Sequence, residues 1–156
     1  MIKNIKYTLI FLFLLSCGYS PIHQTNQTIN FKLDVINFSG DNEIGREIIK
    51  SLEKFKEGEN SNIFNVNLNI NKREVIVTKD KKGDPSSFKS TIEVNLDLIN
   101  KTNARVINKK FIEEITYDSI ENKFELNQYK KKLEKNMVFK IVQDIGIFFS
   151  VIQNDM

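Results

Sequence analysis

Polar and apolar residues alternate along most of the chain, and the period of that alternation divides it into six elements. Phe31, Leu33 and Val35 alternate with Lys32 and Asp34, which predicts a half-buried strand whose parity slips at Ile36 and Phe38. Ile44, Ile48, Leu52 and Phe55 then recur at steps of four, four and three, the spacing of one apolar helix face, with Arg46, Glu47, Lys50 and Glu53 turned away. Asp41 or Asn42 can cap this helix, and it ends before Gly58. The clearest strand follows: Phe64, Val66, Leu68 and Ile70 point one way, and Asn65, Asn67, Asn69 and Asn71 the other. Val75 and Val77 fall on the opposite parity, so a strand continuing through them is expected to bulge near Lys72 and Arg73. After a turn from Lys79 to Pro85, Phe88, Ile92, Val94, Leu96 and Leu98 alternate with Lys89, Thr91, Glu93, Asn95 and Asp97.

A further turn from Asn100 to Asn103 leads to a fourth strand, where Ile107, Phe111, Ile115 and Tyr117 share one parity while Val106 and Ile112 break it. From Leu126 through Tyr129, Leu133, Met137, Ile141, Ile145 and Phe148 to Ile152, apolar residues recur every three or four positions. This is a long helix expected to carry Lys130, Lys131, Lys132 and Lys135 outward. The order strand, helix, three strands, helix, with one apolar face per strand, predicts an α+β two-layer sandwich: a four-stranded mixed sheet with two helices on one face, filling residues 30–156 as a single domain.

The N-terminus reads differently. Lys3 and Lys6 precede an apolar run from Tyr7 to Leu15, far short of the ~20 residues a spanning helix needs, so residues 1–16 read as a signal peptide. Leu14-Leu15-Ser16-Cys17 resembles a bacterial lipobox, and the chain holds 1 Cys, at that cleavage point. Cys17 is therefore the expected lipidation site, anchoring the chain to a membrane by its acyl chains, and no disulfide framework is possible. Residues 17–29, polar and interrupted by Pro21, read as a lipidated tether, and in the lipoprotein sorting pattern that this start resembles, Gly18 in place of Asp after the cysteine implies the outer membrane.

Composition narrows the function more than it suggests one. The formal charge of +3 includes Lys3 and Lys6; without them 21 basic residues face 20 acidic ones, so nucleic-acid binding has no global electrostatic support. The 1 His of the chain, His23, falls in the tether, which leaves no positioned base for a Ser-His-Asp or Cys-His arrangement. Paired metal ligands and a glycine-rich phosphate loop are absent from the sequence, and Glu113 and Glu114 point to opposite faces of a strand. The expectation is a binding protein with no enzymatic activity, cofactor or metal.

Four stretches carry a family resemblance: Cys17-Gly18-Tyr19-Ser20-Pro21 after the lipobox, the first helix, the run SSFKSTIEVNLDLIN, and the passage FIEEITYDSIENKFELNQYKKKLEKNMVFKIVQDI. Together they resemble the LptE family of LPS-assembly lipoproteins, in which a Ser-Tyr or Thr-Tyr turn, here Thr116-Tyr117-Asp118, leads into the long final helix. The resemblance implies a lipid-anchored protein on the periplasmic side of the outer membrane. Such a protein plugs and supports the LptD β-barrel and helps assemble lipopolysaccharide at the cell surface. An accessory lipoprotein of an envelope ABC-type lipid transporter is the alternative, and a structural periplasmic lipoprotein a third. Within the turn, Lys79, Lys81 and Lys82 form a basic cluster expected to contact the anionic head of lipopolysaccharide, with Lys109 and Lys110 as neighbours.

Overall fold

A computed structural model of the protein describes residues 31–57 and 62–152, and within them the alternating segments are strands and the three-and-four-spaced segments helices. In order these are β1 (Lys32–Gly40), α1 (Asn42–Leu52) continued by a 3₁₀ turn (Glu53–Lys56), β2 (Ile63–Lys79), β3 (Pro85–Asn100), β4 (Val106–Asp118) and α2 (Lys123–Ile152). The expected signal peptide and tether, and with them Cys17 and His23, lie outside the described residues.

The strands form one sheet in the order β1-β2-β3-β4, with β1 parallel to β2 and the remaining pairs antiparallel. A parallel pair needs a crossover, and α1 supplies it. Its first turn is capped by Asp41, whose carboxylate accepts from the backbone N–H of Glu43 (3.0 Å) and Ile44 (3.1 Å). Ile44, Ile48 and Leu52, with Phe55 in the 3₁₀ turn, are buried against the sheet face formed by Leu33, Phe64, Val66, Leu68 and Ile70. Beside α1, α2 covers β3 and β4 through Met137, Ile141, Ile145 and Phe149. The result is the expected two-layer α+β sandwich, with both helices on one face of a mixed four-stranded sheet.

Three local details depart from the pattern. The parity slip in β1 is a bulge: its register against β2 shifts between Leu33 and Ile36, so Ile36 and Phe38 return to the helix side while Val35 is exposed. The bulge expected near Lys72 and Arg73 is not there. Pairing of β2 with β3 runs unbroken from Phe64 to Ile76 and shifts only between Ile76 and Lys79. Beyond Ile70 both faces of β2 are open to solvent, so no buried face demands a change of parity, and Val75, Ile76 and Val77 are all exposed. In α2, the first turns extend past the core: Tyr129 is exposed, and Lys130, expected to point outward, reaches back onto the sheet.

Two opposite ends result. At one, Phe31 packs edge-on against Phe64 (centroids 5.6 Å) and Phe149 (5.4 Å), and Phe149 packs edge-on against Phe55 (5.3 Å). The chain therefore enters the domain beside the C-terminal turns of α2. At the other, β2 and β3 run on beyond the apolar core as a hairpin, flanked by β4 as far as Ser87 and touched by the first turns of α2 through Lys130.

Candidate functional site

The hairpin turn is built by Asp80. Its carboxylate accepts from the backbone N–H of Lys82 (2.8 Å) and Asp84 (2.9 Å), and its backbone N–H donates to the Asp84 carbonyl (2.8 Å). Gly83, at φ +91°, takes the left-handed conformation that closes the turn. With Asp80 committed to the backbone, Lys79, Lys81 and Lys82 are left exposed around the tip.

Lys109 and Lys110 are not their neighbours. They pair with Leu96 and Asn95, whereas the strands approach the turn at Ser87, eight residues from Asn95, or roughly 26 Å along the strand. They also face opposite ways: Lys110 bonds Glu93 (2.9 Å) on the outer face, and Lys109 looks to the helix side across from Leu96. Lys110, then Asn95, hold the Glu93 carboxyl below its ordinary range. Glu113 and Glu114 part in the same way, the first bonding Lys140 of α2 (3.0 Å) and the second Lys89 (2.6 Å).

At the base of the hairpin lies a cluster that the sequence pattern did not single out. The Tyr117 hydroxyl donates to the Glu74 carboxylate, whose other oxygen accepts from Lys130 Nζ (2.8 Å). Lys130 stands over the Phe88 ring at 4.6 Å, Phe88 stacks on Tyr117 (5.6 Å), and Tyr129 meets Tyr117 edge-on (6.1 Å). Three elements thus meet at one carboxylate, and Phe88 of β3 packs against two of them. Next to it Thr78 bonds Ser86 (2.7 Å) and Ser87 (2.6 Å) across the hairpin, and Lys72 bonds Glu134 of α2. Burial works against the Glu74 charge, but Lys130 and Tyr117 outweigh it and hold the carboxyl below its ordinary value of 4.5; burial and then Glu74 push the Tyr117 hydroxyl up.

A depressed carboxyl stabilises the fold above its unfolded value, and that contribution is lost as pH falls through the folded one. Tyr117→Phe, which removes one hydrogen bond to a charged group, is accordingly expected to cost about 1 to 2 kcal/mol at neutral pH. The gap from the parent should narrow as pH falls through the lowered value of Glu74 and the carboxylate takes up its proton. Urea unfolding across an acid pH series measures both.

Between α1 and the N-terminal half of α2 an open cleft of roughly 780 Å³ is lined by Glu43, Glu47, Lys72, Phe124, Lys131 and Glu134 among others, a wall of both charges. No group of three His, Cys, Asp or Glu side chains among the described residues is placed to hold a metal ion. No helix among them is long and apolar enough to cross a membrane. The outer sheet face is polar, with Asn108 bonding Asp97 (2.5 Å) and Thr91 bonding Glu114 (3.2 Å) across neighbouring strands.

No known protein family and no curated protein matches the sequence. Solved structures match the fold. The chain is similar to rare lipoprotein B from Shewanella oneidensis, with a TM-score of 0.63 and 12% identity over 80% of this chain and 97% of that one. It is also similar to the minor lipoprotein of Acinetobacter baumannii (TM-score 0.59, 9% identity, 79% and 92% covered). A lipoprotein from Caulobacter crescentus matches as well (TM-score 0.58, 12% identity, 81% and 92% covered). At such identities the likeness is one of fold, and the fold is one that lipoproteins use.

Proposed function

We propose that the chain is an outer-membrane lipoprotein, acylated at Cys17 on the periplasmic side, whose domain stands in the lumen of an LptD-type β-barrel and assists lipopolysaccharide assembly. The observation that carries this reading is the length of the molecule along its strands. β2 has 17 residues, about 55 Å at the usual rise, against the ~40–45 Å of a bilayer with its headgroups. A domain tied to the inner leaflet at Phe31 and standing along the membrane normal would carry the hairpin tip through to the outer leaflet. A polar sheet face suits the polar interior wall of such a barrel, and Lys79, Lys81 and Lys82 at the tip would meet lipid phosphates there. The lipoprotein fold and the sequence resemblance to the LptE family support the same assignment.

Two measurements test it. Cys17→Ala should abolish labelling by a radioactive fatty acid and release the chain from membranes, and the parent chain pulled from detergent extracts should bring a large β-barrel with it. Equal labelling of Cys17→Ala defeats the anchor, and a transporter component in place of the barrel moves the chain to the accessory-lipoprotein reading. Separately, exchanging Lys79, Lys81 and Lys82 together for Gln should weaken lipopolysaccharide binding at low salt on the order of a hundredfold, at about 1 kcal/mol per lysine facing an anionic surface. Most of the salt dependence should go with it. Unchanged affinity with the fold intact by circular dichroism removes the tip from the binding site.

A further inference from the structure

The end of the domain opposite the hairpin combines apolar exposure with positive charge. Ile147 and Val151 on α2 are 62% and 54% exposed, and Val106 at the start of β4 is 49% exposed. Ile147 and Val151 are one turn apart on the same side of α2 as Lys140, whose bond to Glu113 shows that this side looks toward the β4 edge. The three residues therefore surround the β4 edge where it begins. From Ile141 to Ile152 the helix carries one charge, Asp144, which lies a turn before Ile147 on the same side and bounds the apolar zone. Around this end, Lys32, Lys54 and Lys56, with Lys101 and Arg105 in the β3–β4 turn, exceed Asp34, Glu53, Glu57 and Asp144 by one charge, Lys101 being bonded to Asp34 (2.6 Å). A helix that buries one face and leaves uncharged, bulky residues on its other side needs a cover for them.

What covers them is indicated by where the chain goes. Phe31, against Phe149, is the point from which the preceding residues lead away, and Cys17 lies 14 residues before it. That length reaches at most about 48 Å when extended and averages roughly 20 Å as a flexible coil. A membrane holding Cys17 is thus held within easy reach of Ile147, Val151 and Val106, and a contact too weak to bind by itself becomes effectively intramolecular. The positive excess suits an anionic leaflet.

We propose that this end of the domain seats on the lipid leaflet, with Ile147, Val151 and Val106 at the boundary of headgroups and acyl chains and the lysines and Arg105 against lipid phosphates. The inference rests on Cys17 as the anchor only for the direction of the tether, and it needs no barrel. It also sets the orientation before any barrel is engaged, placing the strands along the membrane normal and the hairpin tip farthest from the anchoring leaflet.

The chain contains 0 Trp, so single reporters can be read without background. The chain from Cys17 onward is coupled through Cys17 to a maleimide phospholipid in vesicles of phosphatidylethanolamine and phosphatidylglycerol with brominated acyl chains. Coupling makes the test independent of natural acylation, and the absence of any barrel separates it from the functional proposal. Ile147→Trp, Val151→Trp and Val106→Trp are compared with Phe124→Trp, an exposed position at the far end of α2. The three seat reporters should lose about half or more of their fluorescence to the bromines, as a side chain 5 to 10 Å into the interface would, and Phe124→Trp almost none. Replacing phosphatidylglycerol by phosphatidylcholine should reduce the difference. Equal quenching at all four positions, with each variant folded by circular dichroism, overturns the proposal, as does capture of the end by a second copy, seen as concentration-dependent dimers without lipid.

Discussion

Leu68→Ala and Ile145→Ala are each expected to cost about 2 to 5 kcal/mol of stability, lowering the melting temperature by roughly 8 to 20 °C. Both side chains are sealed in the same core, Leu68 at 2% and Ile145 at 0% exposure, one from the sheet and one from α2. Truncation removes three carbons from a layer packed from both sides, so the methyl groups lose their transfer free energy and leave a space that a helix and a sheet cannot both close. Asn67, next in line on β2, is the control. It is exposed and accepts one side-chain bond from Asn37 (3.2 Å), so Asn67→Ala should stay within about 1 kcal/mol. Equal melting temperatures for Leu68→Ala and Asn67→Ala would mean that the faces of β2 are reversed.

Gly40→Ala should be comparably severe, about 2 to 5 kcal/mol, although it adds one methyl group. Gly40 ends β1 at φ +96°, and a Cβ there would overlap the carbonyl oxygen of Ile70, its partner on β2. Two penalties combine: a left-handed backbone that alanine adopts at a cost, and a collision with backbone that cannot rotate away. Because Asp41 follows immediately and caps α1, relief by shifting Gly40 would pull the cap from Glu43 and Ile44. Thermal unfolding of Gly40→Ala beside Gly83→Ala separates the two effects, since Gly83 shares the positive φ but has open space where a Cβ would stand. If the two variants melt together, the close approach of β1 to β2 contributes nothing.

Where burial on one side is uniform, the alternation of residue types is a sufficient guide to structure. In β2 up to Ile70, in β3, and in α1 a single face meets the core, and the apolar positions mark it. Prediction from alternation fails where burial stops. Val75 and Val77 look like a displaced strand face, yet every residue of β2 beyond Ile70 is exposed, so their parity carries no information about pairing. The slip at Ile36 was visible, and its resolution by a bulge between Leu33 and Ile36 follows from keeping Ile36 and Phe38 under the helices.

The candidate site divides along the same line. A turn rich in Lys, Asp and Gly is local, so its position was legible. The separation of Lys109 and Lys110 from it depends on the register of β4 against β3, which no local pattern specifies. The carboxylate of Glu74 is further from view, because its partners Tyr117 and Lys130 stand 43 and 56 residues away and belong to different elements. Thr116-Tyr117-Asp118, expected as a turn, is the paired end of β4, and Tyr117 there was a signal without a partner; its hydroxyl ties the hairpin to the strand that leads into α2.

The sheet order also leaves β4 as an edge whose 13 residues pair with β3 without a single shift in register. A long straight edge is a template on which further chains can add, and it carries Phe111, Ile112 and Ile115 in its middle. Its defence is written as doublets, Lys109 with Lys110 and Glu113 with Glu114, each putting one charge on either face. In a fibril of parallel, in-register copies, every lysine would lie about 4.8 Å from the same lysine of the next chain, and every glutamate likewise, on both faces at once. The edge thus resists parallel self-templating by its own charge pattern. That protection matters most wherever β4 stands uncovered and copies of the chain can meet edge to edge.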